Sequence, residues 1–202
     1  MKAFTFFIAL ILFFTSCSKQ SSQPQPVDPN SVTIGETKYP IVKIGSQTWM
    51  AVNYNGAGGT NYNESSINDP KYGKLYTNQE AISIKLPTGW RLPTTEDFSI
   101  LYRTYKGDVK PLLSTTGWNE KLGTNSSGFN VFPAGYYSYG FNVGRYENFG
   151  NEASFFTTSF FGTPPVRACF VFIAYSGAAN AIISNTVTSE NDRASIRLIK
   201  SE

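Results

Sequence analysis

From residue 128 onward the apolar residues stop recurring at helical spacing and fall into short alternating runs. These are "FNVFPAGYY", "ASFFTTSFF", "RACFVFIAY", "NAIISNTVT" and "ASIRLIK", each bounded by Gly, Asn or Ser. A period of two sends successive side chains to opposite faces, so each run has one face to bury and needs a neighbouring strand to bury it against. Short runs with turn-forming boundaries predict mostly antiparallel pairing. Composition agrees: only 15% of the 202 residues are charged, while 41% are hydrophobic and 15% aromatic. That is enough apolar material for one core, and one globular domain is the expectation. The 17 basic and 14 acidic residues leave a net charge of +3, scattered along the chain, which predicts no nucleic-acid partner.

The upstream half carries more punctuation. In "KYPIVKIGSQTWMAVNY" two β-rich runs flank Gly45-Ser46, which predicts a hairpin over about 39–44 and 47–53 closed by a type II′ turn with Gly45 at its positive-φ position. "NGAGGTNYNESSINDPKYG" has no periodicity and reads as a long functional or disordered loop. Thr77 and Glu80 in "LYTNQEAIS" have capping-box spacing and predict a helix start. A second helix is expected after Thr94 in "GWRLPTTEDFSIL", with Glu96 and Asp97 at its positive end and Phe98, Leu101, Tyr102 and Tyr105 on its buried face. Gly107 is expected to stop it. Trp49, Trp90 and Trp118 are read as core anchors. No internal repeat suggests a solenoid or propeller.

The first residues suggest a destination. "MKAFTFFIALILFFTSC" places Lys2 before an apolar run that ends at Phe14, then small residues and Cys17, the architecture of a signal peptide. The run is shorter than the roughly 20 residues a membrane-spanning helix needs. "FTSC" resembles a bacterial lipobox, which implies cleavage after residue 16 and lipidation of Cys17. Several acyl chains at about 0.8 kcal/mol per buried CH₂ would give a stable membrane anchor. Residues 17–31, "CSKQSSQPQPVDPNS", then form a polar, proline-containing tether ahead of a domain over 32–202. Ser18 after the Cys favours the outer membrane of a cell envelope, with the face left open. With Cys17 acylated, Cys169 has no partner for a disulfide and reads as a buried, inert thiol in an apolar run.

Taken in order, "YPIVKIGSQTWMAVN", "YGKLYTNQEA", "LPTGWRLPTTEDFSIL", "LLSTTGW", "TNSSGFNVFPAGYY" and "ASIRLIK" resemble the Fibrobacter succinogenes major paralogous domain. "RLPTTEDF" and "IRLIK" are also similar to the more distant formylglycine-generating sulfatase-modifying enzymes. That resemblance implies an α+β fold, a C-type lectin-like variant with a twisted antiparallel sheet, two short helices and long loops. Against the family's pattern, Phe98 stands where Trp is usual, and Leu198 stands where the final strand usually has Cys.

Fold does not bring function with it. The formylglycine-generating enzymes use paired active-site cysteines, and outside the lipobox this chain has only Cys169. There is no His, which removes Ser-His-Asp and Cys-His catalysis and His-ligated metals. "GWNEKL" is similar to the Trp-Asn-Asp calcium motif of lectins, but Asn119 and Glu120 alone do not supply six to eight oxygen ligands. The expectation is therefore a non-catalytic module without metal or cofactor. Residues 133–151, "PAGYYSYGFNVGRYENFGN", are the candidate ligand face, through Tyr136, Tyr137, Tyr139, Asn142, Arg145 and Tyr146. Such aromatics stack on a sugar or peptide whose polar edge Asn and Arg can bond. The same rings can equally be core packing under a turn-rich segment, and an envelope component without a soluble ligand is the other reading.

Overall fold

The computed structural model describes residues 30–67, 69–120, 123–140, 142–161, 167–175, 181–187 and 189–201. The stretches expected to be leader and tether, with Cys17, lie outside the described residues apart from residues 30 and 31, as does the side chain of Cys169. In chain order the elements begin with β1 (Ser31–Ile34), β2 (Thr37–Ile44), β3 (Gln47–Met50), β4 (Thr60–Asn61), a 3₁₀ turn (Tyr62–Glu64), β5 (Lys74–Leu75) and α1 (Asn78–Ile82). There follow β6 (Trp90–Arg91), α2 (Thr95–Thr104), β7 (Tyr136–Gly140), β8 (Val143–Glu147), β9 (Glu152–Phe161), β10 (Arg167–Tyr175), β11 (Ala181–Val187) and β12 (Ile199–Lys200). The fold is mostly β, with curled antiparallel sheet and two short helices of five and ten residues. Helix is thus a smaller share than an α+β description suggests.

A five-stranded sheet runs β1-β2-β3-β12-β6, a three-stranded one β11-β10-β9, and β4-β5 and β7-β8 form two-stranded pairs. Every pairing between these strands is antiparallel. The expected turn is present: Ile44 pairs with Gln47 across Gly45-Ser46, with Gly45 at φ +59°. Its outgoing strand stops at Met50, sooner than alternation alone implies. An additional strand, β1, takes in Ser31, the last residue assigned to the tether, and turns into β2 through Gly35 at φ +60°. Ile199 pairs with Trp49 on one side and Arg91 on the other, so the end of the chain closes the sheet that its beginning opened.

Both helices start as the capping chemistry dictates. Thr77 Oγ1 accepts from the Glu80 amide at 3.2 Å while Glu80 Oε2 accepts from the Thr77 amide at 2.8 Å. Thr94 and Asp97 repeat the arrangement at α2, at 3.2 and 2.6 Å. At the far end of α2 the Gly107 amide donates to the Tyr102 carbonyl and the Lys106 amide to that of Arg103. This is a Schellman cap whose first left-handed residue is Lys106, at φ +53°, with Gly107 following it at +85°.

Phe98 and Leu101 face the main core, where Trp49, Phe98, Phe129 and Phe155 meet with ring centroids 5.1–5.4 Å apart. Such buried rings contribute about 1.5–3 kcal/mol each. Trp118 is buried there too, whereas Trp90 is only partly buried against a second cluster built on Tyr39, Met50, Tyr54, Tyr76, Ile196 and Leu198. Residues 55–73, read as a long functional or disordered loop, are mostly irregular but packed into a third cluster rather than disordered. Tyr62 and Tyr72 from that stretch are buried and stack against each other at 4.4 Å and against Phe149 at 5.4 and 5.2 Å. The run "FNVFPAGYY" is also mostly irregular, reaching strand only at Tyr136. Asn130 at φ +56°, Pro133 without an N–H and Gly135 at φ +67° interrupt its ladder.

Candidate functional site

Within residues 133–151, Tyr136–Gly140 and Val143–Glu147 are paired strands. Gly140 pairs with Val143 across a two-residue turn, and Asn142 takes the positive φ, +61°, that such a turn requires. The resulting hairpin sorts the candidate residues by strand alternation. Tyr137 lies opposite Tyr146, their rings edge to face at 5.0 Å, and both pack on the third cluster. Tyr137 also covers Gly144, where a Cβ would collide with the phenol ring. Tyr139 shares that face but lies farther out, 37% exposed, and Asn142 is exposed at the tip.

Tyr136 and Arg145 belong to the opposite face. There Tyr136 pairs with Glu147, Ser138 with Arg145 and Gly140 with Val143. Ser138, Gly140, Val143, Arg145 and Glu147 line an open groove of about 270 Å³. The structure thus sets Tyr136 on the face opposite Tyr137 and Tyr139 and brings Arg145 next to Ser138, Val143 and Glu147. Sequence reasoning passed over those three because they are not aromatic. Strand alternation puts Ser138 on the face opposite Tyr137 and Tyr139, and the two-residue turn after Gly140 brings Val143 and Glu147 to that same face.

Arg145 is exposed, and neither its side chain nor that of Glu147, two residues away on the same face, makes a hydrogen bond or ion pair within the described residues. Tyr136, nearby, has its phenol pushed above the ordinary range by burial and then by the charges of Glu152, Glu147 and Asp192. The groove therefore offers a cation, an anion, a hydroxyl and the half-exposed Val143.

The hairpin is held rigidly from behind. The Tyr137 amide donates to the Arg193 carbonyl at 3.0 Å and the Arg193 amide returns to Tyr137 at 2.9 Å. The Tyr139 amide donates to Asp192 Oδ1 at 2.7 Å. Arg193 reaches on to Glu80 Oε2, at 2.7 Å, in the cap of α1. Burial works against the charge of Glu80, but the Thr77 amide, Arg193 and the Gly59 amide outweigh it and hold the carboxyl below its usual range. One carboxylate thereby ties the hairpin, the Gly-rich segment and the first helix together.

A larger depression of about 420 Å³ lies beside it, lined among others by Ile34, Tyr54, Glu80, Ile84 and Lys85. Its carboxylate is already engaged as described, which leaves an apolar wall and few groups to orient a ligand. In the "GWNE" stretch, Trp118 donates from Nε1 to the Val131 carbonyl at 3.0 Å, and Asn119 donates from Nδ2 to Asn151 Oδ1 at 3.0 Å. Both residues thus join neighbouring segments of the fold.

The most unusual buried group lies under none of these surfaces. Arg197, in "ASIRLIK", is fully buried, and Nε donates to Asn53 Oδ1 at 2.7 Å. Nη1 donates to the carbonyls of Met50 and Phe129, and Nη2 to that of Asn130 at 3.0 Å. Its guanidinium lies 4.7 Å from the Phe129 ring centre. Burial pulls its pKa down to about 9, which leaves it a cation at neutral pH, and its partners are carbonyls rather than a carboxylate.

No curated protein and no solved structure matches the chain. The family model described as Fibrobacter succinogenes major domain matches residues 42–200, from within the opening hairpin to the last strand. Well over half of the chain lies in that match, and the protein belongs to the Fibrobacter succinogenes major domain family.

Proposed function

We propose that the protein is a non-catalytic module of the cell envelope, lipid-anchored through Cys17 at the outer membrane, that binds a glycan or protein ligand through the outer face of the β7-β8 hairpin. The observation that carries this reading is the groove bearing Arg145 and Glu147, two charged groups on a hydrogen-bonded hairpin whose side chains make no ion pair among the described residues. Rigid strands hold a polar constellation with less ordering cost on binding than a free loop does. Exposed Tyr139 and Asn142 extend the same tip. The chain has no His, and Cys169 is its single Cys beyond the lipobox, so the assignment is to binding rather than catalysis. A C-type lectin-like arrangement, shared with the sulfatase-modifying enzymes, is the fold relationship proposed for the family.

A glycan array probed with the purified chain tests the reading. Reproducible saccharide binding that Arg145→Ala abolishes is expected. An array without signal, together with unaltered behaviour of the Arg145→Ala variant in binding to envelope fractions, would leave a structural or assembly role instead. Membrane partition tests the anchor: Cys17→Ala is expected to move the chain to the soluble fraction, and a variant that stays membrane-bound contradicts the lipid assignment.

A further inference from the structure

We infer that the hairpin groove selects an acidic saccharide, with Arg145 pairing with the carboxylate of a uronic-acid-type residue. The inference rests on the hairpin being the binding face and adds the chemical class of ligand. The Arg145 side chain is an exposed cation without a partner among the described residues, although Glu147 projects from the same face of the same strand. A guanidinium presents a planar fork of donors that matches a carboxylate in two parallel hydrogen bonds, and such charge-assisted pairs are about twice as strong as neutral ones.

The surroundings suit a sugar rather than a free anion. Ser138, directly across from Arg145, supplies a hydroxyl that both donates and accepts. Glu147 accepts from ring hydroxyls at one end of the groove. At the other end Val143, 52% exposed, gives an apolar surface for the C–H face of a ring. Gly140, across from Val143, leaves that end open: a Cβ there would meet nothing within 4 Å. From Val143 to Glu147 the strand runs about 13 Å, long enough for more than one saccharide unit.

The test compares binding of a uronate oligosaccharide and of its neutral, carboxyl-reduced counterpart to the full-length chain in detergent, by calorimetry. The acidic form is expected to bind about tenfold more tightly, a preference that falls as added salt screens the pair. Arg145→Ala should erase the preference, and Arg145→Lys should restore only part of it, since the charge remains and the fork does not. Gly140→Val should weaken both ligands by occupying the open end while leaving the melting temperature unchanged. Equal affinity for the two oligosaccharides, or a preference that survives Arg145→Ala, overturns the acidic selection yet leaves the hairpin as a binding face. Failure of both oligosaccharides, or self-association of the chain through this face that neither disrupts, overturns the inference and the saccharide reading with it.

Discussion

Arg197 shows how one residue can hold several segments that sequence keeps far apart. Its guanidinium supplies donors to Asn53, to the end of β3 at Met50 and to the irregular residues Phe129 and Asn130, where no sheet ladder is available. Replacing it with Met removes the buried charge but orphans several acceptors, each worth about 1–3 kcal/mol when left unpaired. Arg197→Met is therefore expected to cost roughly 3–5 kcal/mol. A lowered urea midpoint would show the loss, and a midpoint near wild type would refute the role. The tyrosines of the hairpin divide in the same terms. Tyr139→Ala should change stability by less than about 0.5 kcal/mol, while Tyr137→Ala, which uncovers the third cluster and Gly144, should cost about 2–3 kcal/mol. Thermal melts of the two variants separate a ring that packs from a ring free to meet a ligand.

At the scale of elements, α2 carries its own pH dependence. Asp97 is buried, which works against its charge. The paired hydrogen bonds from Arg91 at 2.6 and 2.8 Å, and those from the Thr94 amide and hydroxyl, outweigh burial and hold its carboxyl below the ordinary 3.8. The unfolded chain then takes up this proton more readily than the folded one, so stability rises with pH through that window. The contribution is full above about pH 4 and is lost as pH falls through the depressed folded value. Urea titrations from pH 6 down to pH 2 should show this acid limb, and Asp97→Asn should flatten it. Losing cap and charged bonds together, Asp97→Ala should cost about 2–3 kcal/mol at neutral pH. The first helix is too short to stand alone, and its cap doubles as the anchor of the hairpin through Glu80 and Arg193.

For the whole molecule, stability comes from three aromatic-rich clusters and from closure of the sheet by the last strand. Among the described residues no group of three or more Cys, Asp or Glu is arranged to hold a metal ion. With Cys169 its single Cys beyond Cys17 and with no His, the chain is expected to fold without metal or disulfide, and a melting temperature lowered strongly by chelator or reductant would contradict this. Deletion of residues 196–202 should by contrast abolish cooperative unfolding, because it removes Ile196, Arg197, Leu198 and Ile199 from the core along with the strand between Trp49 and Arg91.

The local rules were legible in the sequence. Both helix starts and the Gly45 turn follow from groups a few residues apart, and that physics is complete within the segment. The order of blocks also carried the family. What only the tertiary structure decided was which face of each alternating segment would be buried. The third cluster takes Tyr62 and Tyr72 from a stretch with no periodicity and sets them on Phe149, and so turns Tyr137 and Tyr146 inward and Arg145 outward. The binding of Arg197 to carbonyl oxygens of two distant segments, at Met50 and Asn53 and at Phe129 and Asn130, was equally out of reach. Burial and pairing between distant segments depend on the free energy of the assembled core, which no window of sequence contains.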